Sequence, residues 1–299
     1  MRFHKLFICL LLATSFLMIT ACGGGGGGDP IGYGELAIAV TDAKPLLPEG
    51  VTNLWVEIAE VLVHGKGGWE SLPMVQTPYT IDLLQFHGDD IDDTTELVPP
   101  VMLTSGKYTQ IRLVLAEGGA NISFDDGATS IPVVIPSENL KTDKNIDFDV
   151  PSGGSVDLMI DFDLSQSLVV TDDGSGTLSY KLKPVLHIVD TFEAATITGI
   201  IDDQSFINYG TDAANVRVSA NGEVYTEVTV ERDEPNNVVF TIFWLVPNKD
   251  YSVEVDFDPN IENDPQFTEV VSANNLGPGE VWYLNDETLP NDESAPILK

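Results

Sequence analysis

The chain has 299 residues and carries 47 Asp and Glu against 14 Lys and Arg, a formal net charge of −33 at pH 7, while 43% of it is hydrophobic. The charge excludes a nucleic-acid-binding surface, which needs clustered Lys and Arg to neutralise phosphates. The apolar fraction excludes a disordered acidic tail, so a folded, strongly anionic protein of about two domains is expected.

Residues 1–21 have the tripartite layout of an export signal: Arg2 and Lys5, an apolar run from Leu6 to Ile19, and small residues ending at Ala21. The run is shorter than the roughly 20 residues that a membrane span requires. Ile19-Thr20-Ala21-Cys22 resembles the bacterial lipobox, with Ile19 in place of the usual Leu. That resemblance implies cleavage before Cys22 and acylation, such as palmitoylation, of the new N-terminus. The other cysteine, Cys9, lies inside the signal, so the mature chain has no disulfide. Residues 22–31 form a tether around the glycines Gly23 to Gly28, whose run reaches ~15 Å. In Gram-negative lipoproteins a residue other than Asp after the cysteine favours the outer membrane, so Gly23 implies that membrane and leaves the leaflet open. Removing Arg2 and Lys5 deepens the charge from −33 to −35. Anionic headgroups repel such a surface, which leaves the lipid to hold the chain to the membrane.

From Gly34 onward, apolar residues alternate at period two between turn-rich connectors, which predicts strands. Leu36, Ile38 and Val40 share one strand face, as do Ile111, Leu113 and Leu115, with Gln110 and Arg112 opposite. Val156, Leu158, Ile160 and Phe162 form another face, opposite Asp157, Met159, Asp161 and Asp163, and a run from Ser179 to Val189 closes this region. His64-Gly65-Lys66-Gly67-Gly68 reads as a hairpin, and Asp125-Asp126-Gly127 and Asp172-Asp173-Gly174 as turns. Short helical turns are expected only near Leu83 to Phe86 or Ser137 to Leu140. A second set of strands follows at Ile197 to Ile201, Val216 to Ala220, Glu223 to Val230, Val238 to Val246 and Tyr251 to Phe257. In the last of these, Ser252, Glu254 and Asp256 form the solvated face.

The expectation is an all-β protein with two antiparallel β-sandwich-like domains in tandem, at residues 32–193 and 194–290, and a tail at 291–299. Residues 31–193 carry 26 acids and 8 bases and residues 194–299 carry 20 and 4, so acidity belongs to the whole surface.

Several ordered motifs also look familiar: Gly34-Glu35-Leu36 leading to Thr41-Asp42-Ala43, Gly68-Trp69, Ile81-Asp82-Leu83-Leu84, the run Ser105 to Leu113, Ile160-Asp161-Phe162-Asp163 and Leu182-Lys183-Pro184-Val185-Leu186. Together they resemble the bacterial lipoprotein family called domain of unknown function 4382, over roughly residues 32–192. The resemblance implies an exported, lipid-anchored β-sandwich of undetermined activity. His187 departs from the family pattern, which has Arg at this place. Residues 195–290 resemble a carboxypeptidase-regulatory-like or transthyretin-like sandwich through Phe240 to Leu245, Pro247-Asn248 and Tyr251-Ser252-Val253, which implies a spacer or folding support.

The mature chain has no Gly-x-Ser-x-Gly elbow, no phosphate-cradling loop and only His64, His87 and His187 as imidazole bases. Calcium is the better chemical candidate, because oxygen ligands suit a hard cation that exported proteins meet. The acidic groups that would hold it are Asp89-Asp90-Ile91-Asp92-Asp93, Asp161 and Asp163 with Asp172 and Asp173, and Asp256-x-Asp258-x-Asn260-x-Glu262-x-Asp264. The last has Ile261 and Phe267 where an EF-hand loop needs Gly and Glu. Asp161 and Asp163 share a strand face about 7 Å apart, which is unfavourable for like charges unless a cation intervenes. Arg112 or Lys183 on a neighbouring strand is the first expectation for that cation, and Ca²⁺ the second.

The leading functional expectation is a non-enzymatic, lipid-anchored cell-envelope protein, acting as a surface binding or adhesion module or a structural component toward an envelope protein or glycan. A Ca²⁺-dependent carbohydrate-binding module is the alternative, with Trp55, Trp69, Trp244 or Trp282 as sugar platforms and Trp244 better read as core. A hydrolase comes third.

Overall fold

The computed structural model describes residues 32–42, 50–86, 91–136, 139–141, 147–172, 178–257 and 267–284. The export signal, Cys22 and the tether lie outside them.

Alternation places the first strands as expected. β1 (Tyr33–Thr41) buries Leu36, Ile38 and Val40. β2 (Asn53–Gly65) buries Leu54, Val56 and Ile58, then Val61 and Val63. The break in its alternation coincides with register shifts against its partner strand, where a bulge resets which side chains face inward. The hairpin to β3 (Gly68–Leu72) turns at Lys66-Gly67, with Gly68 at φ +98°, a conformation that favours glycine. β4 (Tyr79–Asp82) leads into the expected helical turn, a single 3₁₀ turn at Leu83–Gln85 whose Leu84 N–H donates to the Asp82 carboxylate. β5 (Thr95–Thr104) and the long β6 (Gly106–Ser123) follow, then the short β7 (Ile131–Pro132), β8 (Asn139–Lys141) and β9 (Phe148–Val150). β10 (Ser155–Asp163) enters the four-residue α1 (Leu164–Ser167), and β11 (Leu168–Asp172), β12 (Leu178–Leu182) and β13 (Val185–Asp190) complete the first body.

Its strands form a β13-β10-β1-β5 sheet, a seven-stranded sheet built on β3-β2-β6-β7 with β4, β8 and β9 at its margins, and a β11-β12 ribbon. The inner faces of the two larger sheets share one core that includes Leu36, Ile38, Leu54, Ile58, Ile111, Leu113 and Phe162.

The second body contains β14 (Ala195–Ile201), α2 (Asp203–Tyr209), β15 (Ala213–Ala220), β16 (Glu223–Glu231), β17 (Val238–Leu245), β18 (Tyr251–Asp256), β19 (Phe267–Val271) and β20 (Val281–Tyr283). They form a β17-β14-β20 sheet and a β16-β15-β18-β19 sheet around a second core with Ile197, Phe206, Val216, Val218, Leu245, Tyr251 and Val253. The described residues from Gly32 onward nevertheless form one compact unit.

The fold is all-β, with several departures from the expected pattern. The run from Ser179 to Val189 is two strands, because Pro184 has no N–H to continue a ladder. Asn139 and Leu140, expected in a helical turn, belong to β8 and pair with β6. The sheets are not wholly antiparallel: β1 pairs in parallel with β10, and β14 with β20, each across a long sequence separation that gives the chain room to cross over. Helix α2 was not expected, although its ends are written locally. The Asp202 carboxylate accepts from Gln204 N–H, and Gly210 at φ +68° donates to the carbonyls of Ile207 and Phe206.

Gly34 tests the close approach of β1 to the β9–β10 turn. A Cβ there would stand 2.1 Å from the Pro151 carbonyl oxygen, a main-chain atom that cannot rotate away. Gly34→Ala is expected to lower stability by about 1–3 kcal/mol, read as a lower urea midpoint at constant slope. An unchanged midpoint would contradict this packing.

Candidate functional site

Along β10, Met159, Asp161 and Asp163 alternate with the core residues Leu158, Ile160 and Phe162 and so point to the other side of their sheet. That side is not solvated. Met159 is 4% exposed, Asp161 8% and Asp163 2%. Pairing register sets Thr41 of β1, Asp161 of β10 and His187 of β13 in one row across three strands. Thr226 and Val228 of β16 and Ile242, Phe243 and Trp244 of β17 line the crevice over Thr41, Asp42 and Asp161, so the row lies at the junction of the two β bodies.

Aromatic stacking joins the two bodies beside the row, along a cleft of about 370 Å³ lined by His187, Tyr225 and Lys249. The His187 and Tyr225 rings stack with centroids 3.9 Å apart and planes at 22°. Tyr225 meets Tyr251 edge-on at 5.4 Å, and the Tyr251 hydroxyl donates to the Val246 carbonyl at 3.0 Å. The Lys249 ammonium lies 4.8 Å from the Tyr225 ring centre, a cation–π distance. Burial pushes the phenols of Tyr225 and Tyr251 upward, which keeps both neutral. On the opposite flank, Leu164 N–H donates to Asp42 Oδ1 at 3.4 Å. Ser167 Oγ donates to the Asp163 carbonyl and accepts from Val185 N–H, tying α1 to the start of β13.

The charges of the row are unevenly held. His187 Nε2 is 3.8 Å from Asp163 Oδ2, an ion-pair distance when the ring is protonated and too long for a hydrogen bond. Asp161 Oδ1 is buried without a hydrogen-bond partner. Burial pushes the Asp161 carboxyl up to about 7; His187 opposes the shift and the Asp163 charge adds to it. Near neutral pH the two carboxyls therefore do not hold two full charges, which relieves the repulsion implied by their spacing.

Neither Arg112 nor Lys183 is the neighbouring cation. Arg112 sits on β6 in the other large sheet with its guanidinium over Trp69, and Lys183 is exposed between β12 and β13. His187 takes the place because β13 is the strand paired with β10. Sequence reasoning noted His187 as an imidazole base and a departure from a family pattern but not as the neighbour of Asp161, and assigned no role here to Tyr225 or Lys249, because strand order across the sheet is not encoded in local alternation.

The arrangement does not suit calcium, which needs six to eight oxygens. The crevice beside Asp161 has room for about 20 Å³, and an imidazole faces the carboxylates. Among the described residues no group of three or more His, Cys, Asp or Glu side chains is placed to hold a metal ion. Asp172 is exposed at the end of β11 and Asp92 in a turn whose next residue, Asp93, accepts a hydrogen bond from Thr41 through its backbone carbonyl. Asp89, Asp90, Asp173, Asp258, Asn260, Glu262, Asp264 and His87 lie outside the described residues. Asp256, expected on the solvated face of β18, is 6% exposed.

Among the four tryptophans, Trp55 and Trp282 are half-buried, and the Trp282 indole N–H donates to Glu269. Trp244 does not continue the core alternation. The pairing of β17 with β14 shifts register between Leu245 and Ile242, Trp244 adopts φ +61°, and Leu245 takes the core position while Trp244 turns to the junction crevice. Trp69 remains, 39% exposed on β3.

The raised carboxyl of Asp161 has a thermodynamic consequence with a defined sign. An acid whose value is higher folded than unfolded contributes stability fully below its unfolded value, near 4, and loses it as pH rises through about 7. The native chain is expected to lose up to about 4 kcal/mol from this group between those limits. Asp161→Asn should flatten that decline and unfold later than the parent at pH 8. Parallel stability–pH curves for the two proteins would contradict a buried, protonatable Asp161.

No curated protein matches the chain. Among solved structures, a leucine-rich repeat protein from Bacteroides thetaiotaomicron VPI-5482 is similar over 84% of this chain and 25% of its own, at 12% identity and TM-score 0.19. The chain thus spans a quarter of that protein's length. BcpA*(D312A), the major pilin subunit of Bacillus cereus, is similar over 84% of this chain and 98% of its own, at 13% identity and TM-score 0.17. Residues 33–184, from β1 to the turn before β13, match the family described as Domain of unknown function (DUF4382), and the chain belongs to that family.

Proposed function

We propose that the chain is a non-enzymatic, lipid-anchored protein of the Gram-negative outer membrane, acting as a surface binding or envelope structural module. The observation that carries this reading is the position of the perturbed carboxyl of Asp161. Asp161 lies under the second β body beside a crevice of about 20 Å³, the space of one water, while His187 lines a separate cleft of about 370 Å³ with Tyr225 and Lys249. The enclosure of Asp161 between the two β bodies supports a part in joining them rather than in turning over a substrate.

Anchoring is supported by the sequence, in which the lipobox-like Ile19 to Cys22 is followed by a run of glycines and then by the acidic β body. An anionic surface gains nothing from anionic headgroups, so membrane attachment depends on the acyl chains at Cys22. The partners in this reading are an envelope protein or glycan.

Metabolic labelling with a palmitate analogue tests the anchor. The parent chain is expected to incorporate label and to sediment with membranes, whereas Cys22→Ser loses the label and moves to the soluble envelope fraction. Unlabelled parent protein, or a Cys22→Ser chain that stays with membranes, would overturn the reading.

A further inference from the structure

The outer face of the seven-stranded sheet carries a feature that the junction does not use. Register pairs His64 of β2 with Trp69 of β3 on one side and with Gln110 of β6 on the other, and pairs Leu62 with Arg112. These side chains alternate with the core residues Val61, Val63, Ile111 and Leu113, so all project outward. His64, Trp69, Gln110 and Arg112, with Thr109, line an open groove of about 390 Å³, within the range of small-ligand sites.

The groove is built around one fixed cation. The Arg112 guanidinium carbon lies 4.0 Å from the Trp69 ring centre, so the two planes support each other and the long side chain is held in place before any ligand arrives. The His64 ring packs on Trp69 at 5.0 Å, tilted by 60°, and its Nδ1 is 3.2 Å from Thr109 Oγ1. Arg112 Nε is buried without a hydrogen-bond partner. Among the described residues no carboxylate forms an ion pair with Arg112, although the chain has 47 acids and Glu60 lies on the same face of β2. The half-buried guanidinium has no carboxylate to balance its charge among the described residues, and the groups that match it best are planar oxyanions that take two parallel N–H bonds.

We propose that this groove binds a carboxylate-bearing sugar, a hexuronate unit of an acidic glycan, without calcium. The carboxylate accepts from the fork of Arg112, the sugar ring lies against the exposed part of Trp69, and Thr109 and Gln110 hydrogen-bond ring hydroxyls. A neutral sugar offers no charge to the Arg112 guanidinium, and an acidic peptide offers no ring to Trp69. The proposal deepens the reading of the chain as an envelope binding module. It is measured on purified protein, so a failure to bind and a failure to anchor are separate results.

The test is calorimetric titration of the full chain in detergent and chelator with trigalacturonate, neutral galactotriose and triglutamate. Short probes are used because a long polyanion is repelled by a net charge of −33. Trigalacturonate is expected to bind at least tenfold more tightly than either comparison probe, and Arg112→Gln and Trp69→Ala are each expected to weaken it at least tenfold. An NMR shift of the Trp69 indole N–H in the parent on adding trigalacturonate is expected too, and it reads the site even if a variant folds poorly. No binding, equal binding of galactotriose or triglutamate, an unmoved Trp69 signal, or unchanged affinity in folded variants would overturn the proposal.

Discussion

The fold depends on how one sheet face is covered. The β13-β10-β1-β5 sheet needs its inner side for the first core, which leaves Thr41, Asp161 and His187 on the other side. β16 and β17 close over that row, and the His187–Tyr225 stack at 3.9 Å binds the two bodies where their cores are separate. Burying a carboxylate there has a cost that partial protonation offsets, because a neutral Asp161 is far cheaper to enclose than a charged one. The junction thus encloses Asp161 beside the imidazole of His187, with Asp42 lining the same crevice and Asp163 two residues further along β10.

This arrangement divides the outer surfaces of the first body. The sheet containing β10 is occupied by the second body, while the sheet containing β2, β3 and β6 keeps an open face. Its groove holds a guanidinium already stacked on an indole, set in an otherwise acidic chain. Chain acidity in the second body is locally matched on a comparable outward face, where Arg217 of β15 meets Glu227 of β16 and Glu254 of β18 at 3.3 and 3.6 Å. Arg112 lacks that kind of partner among the described residues, which makes its face the natural place for an external anion.

Much of the architecture was legible because its cause is local. Alternation identified Leu36, Ile38 and Val40, and Tyr251, Val253 and Val255, as inward-facing, and Gly65 to Gly68 as a hairpin. What failed was set by distant chain. Asp161 and Asp163 were recognised as a strained pair, but the identity of their neighbour required knowing that β13 lies beside β10. Asp256 read as solvated because its alternation partners Ser252 and Glu254 are, yet the strand end on which it lies is enclosed. Trp244 read as core because a bulge in β17 leaves no mark in the spacing of Phe240, Ile242 and Trp244. Helix α2 is the exception: Asp202 and Gly210 marked its ends in the sequence, but seven residues are too few for a visible apolar stripe.

The most direct measurement of the central claim is a carbon-detected NMR titration of the Asp161 side-chain carboxyl in the folded chain. Burial at the junction predicts a midpoint near 7. A midpoint near 4, the value of a solvated aspartate, would mean that Asp161 faces water and that the two β bodies do not meet over it.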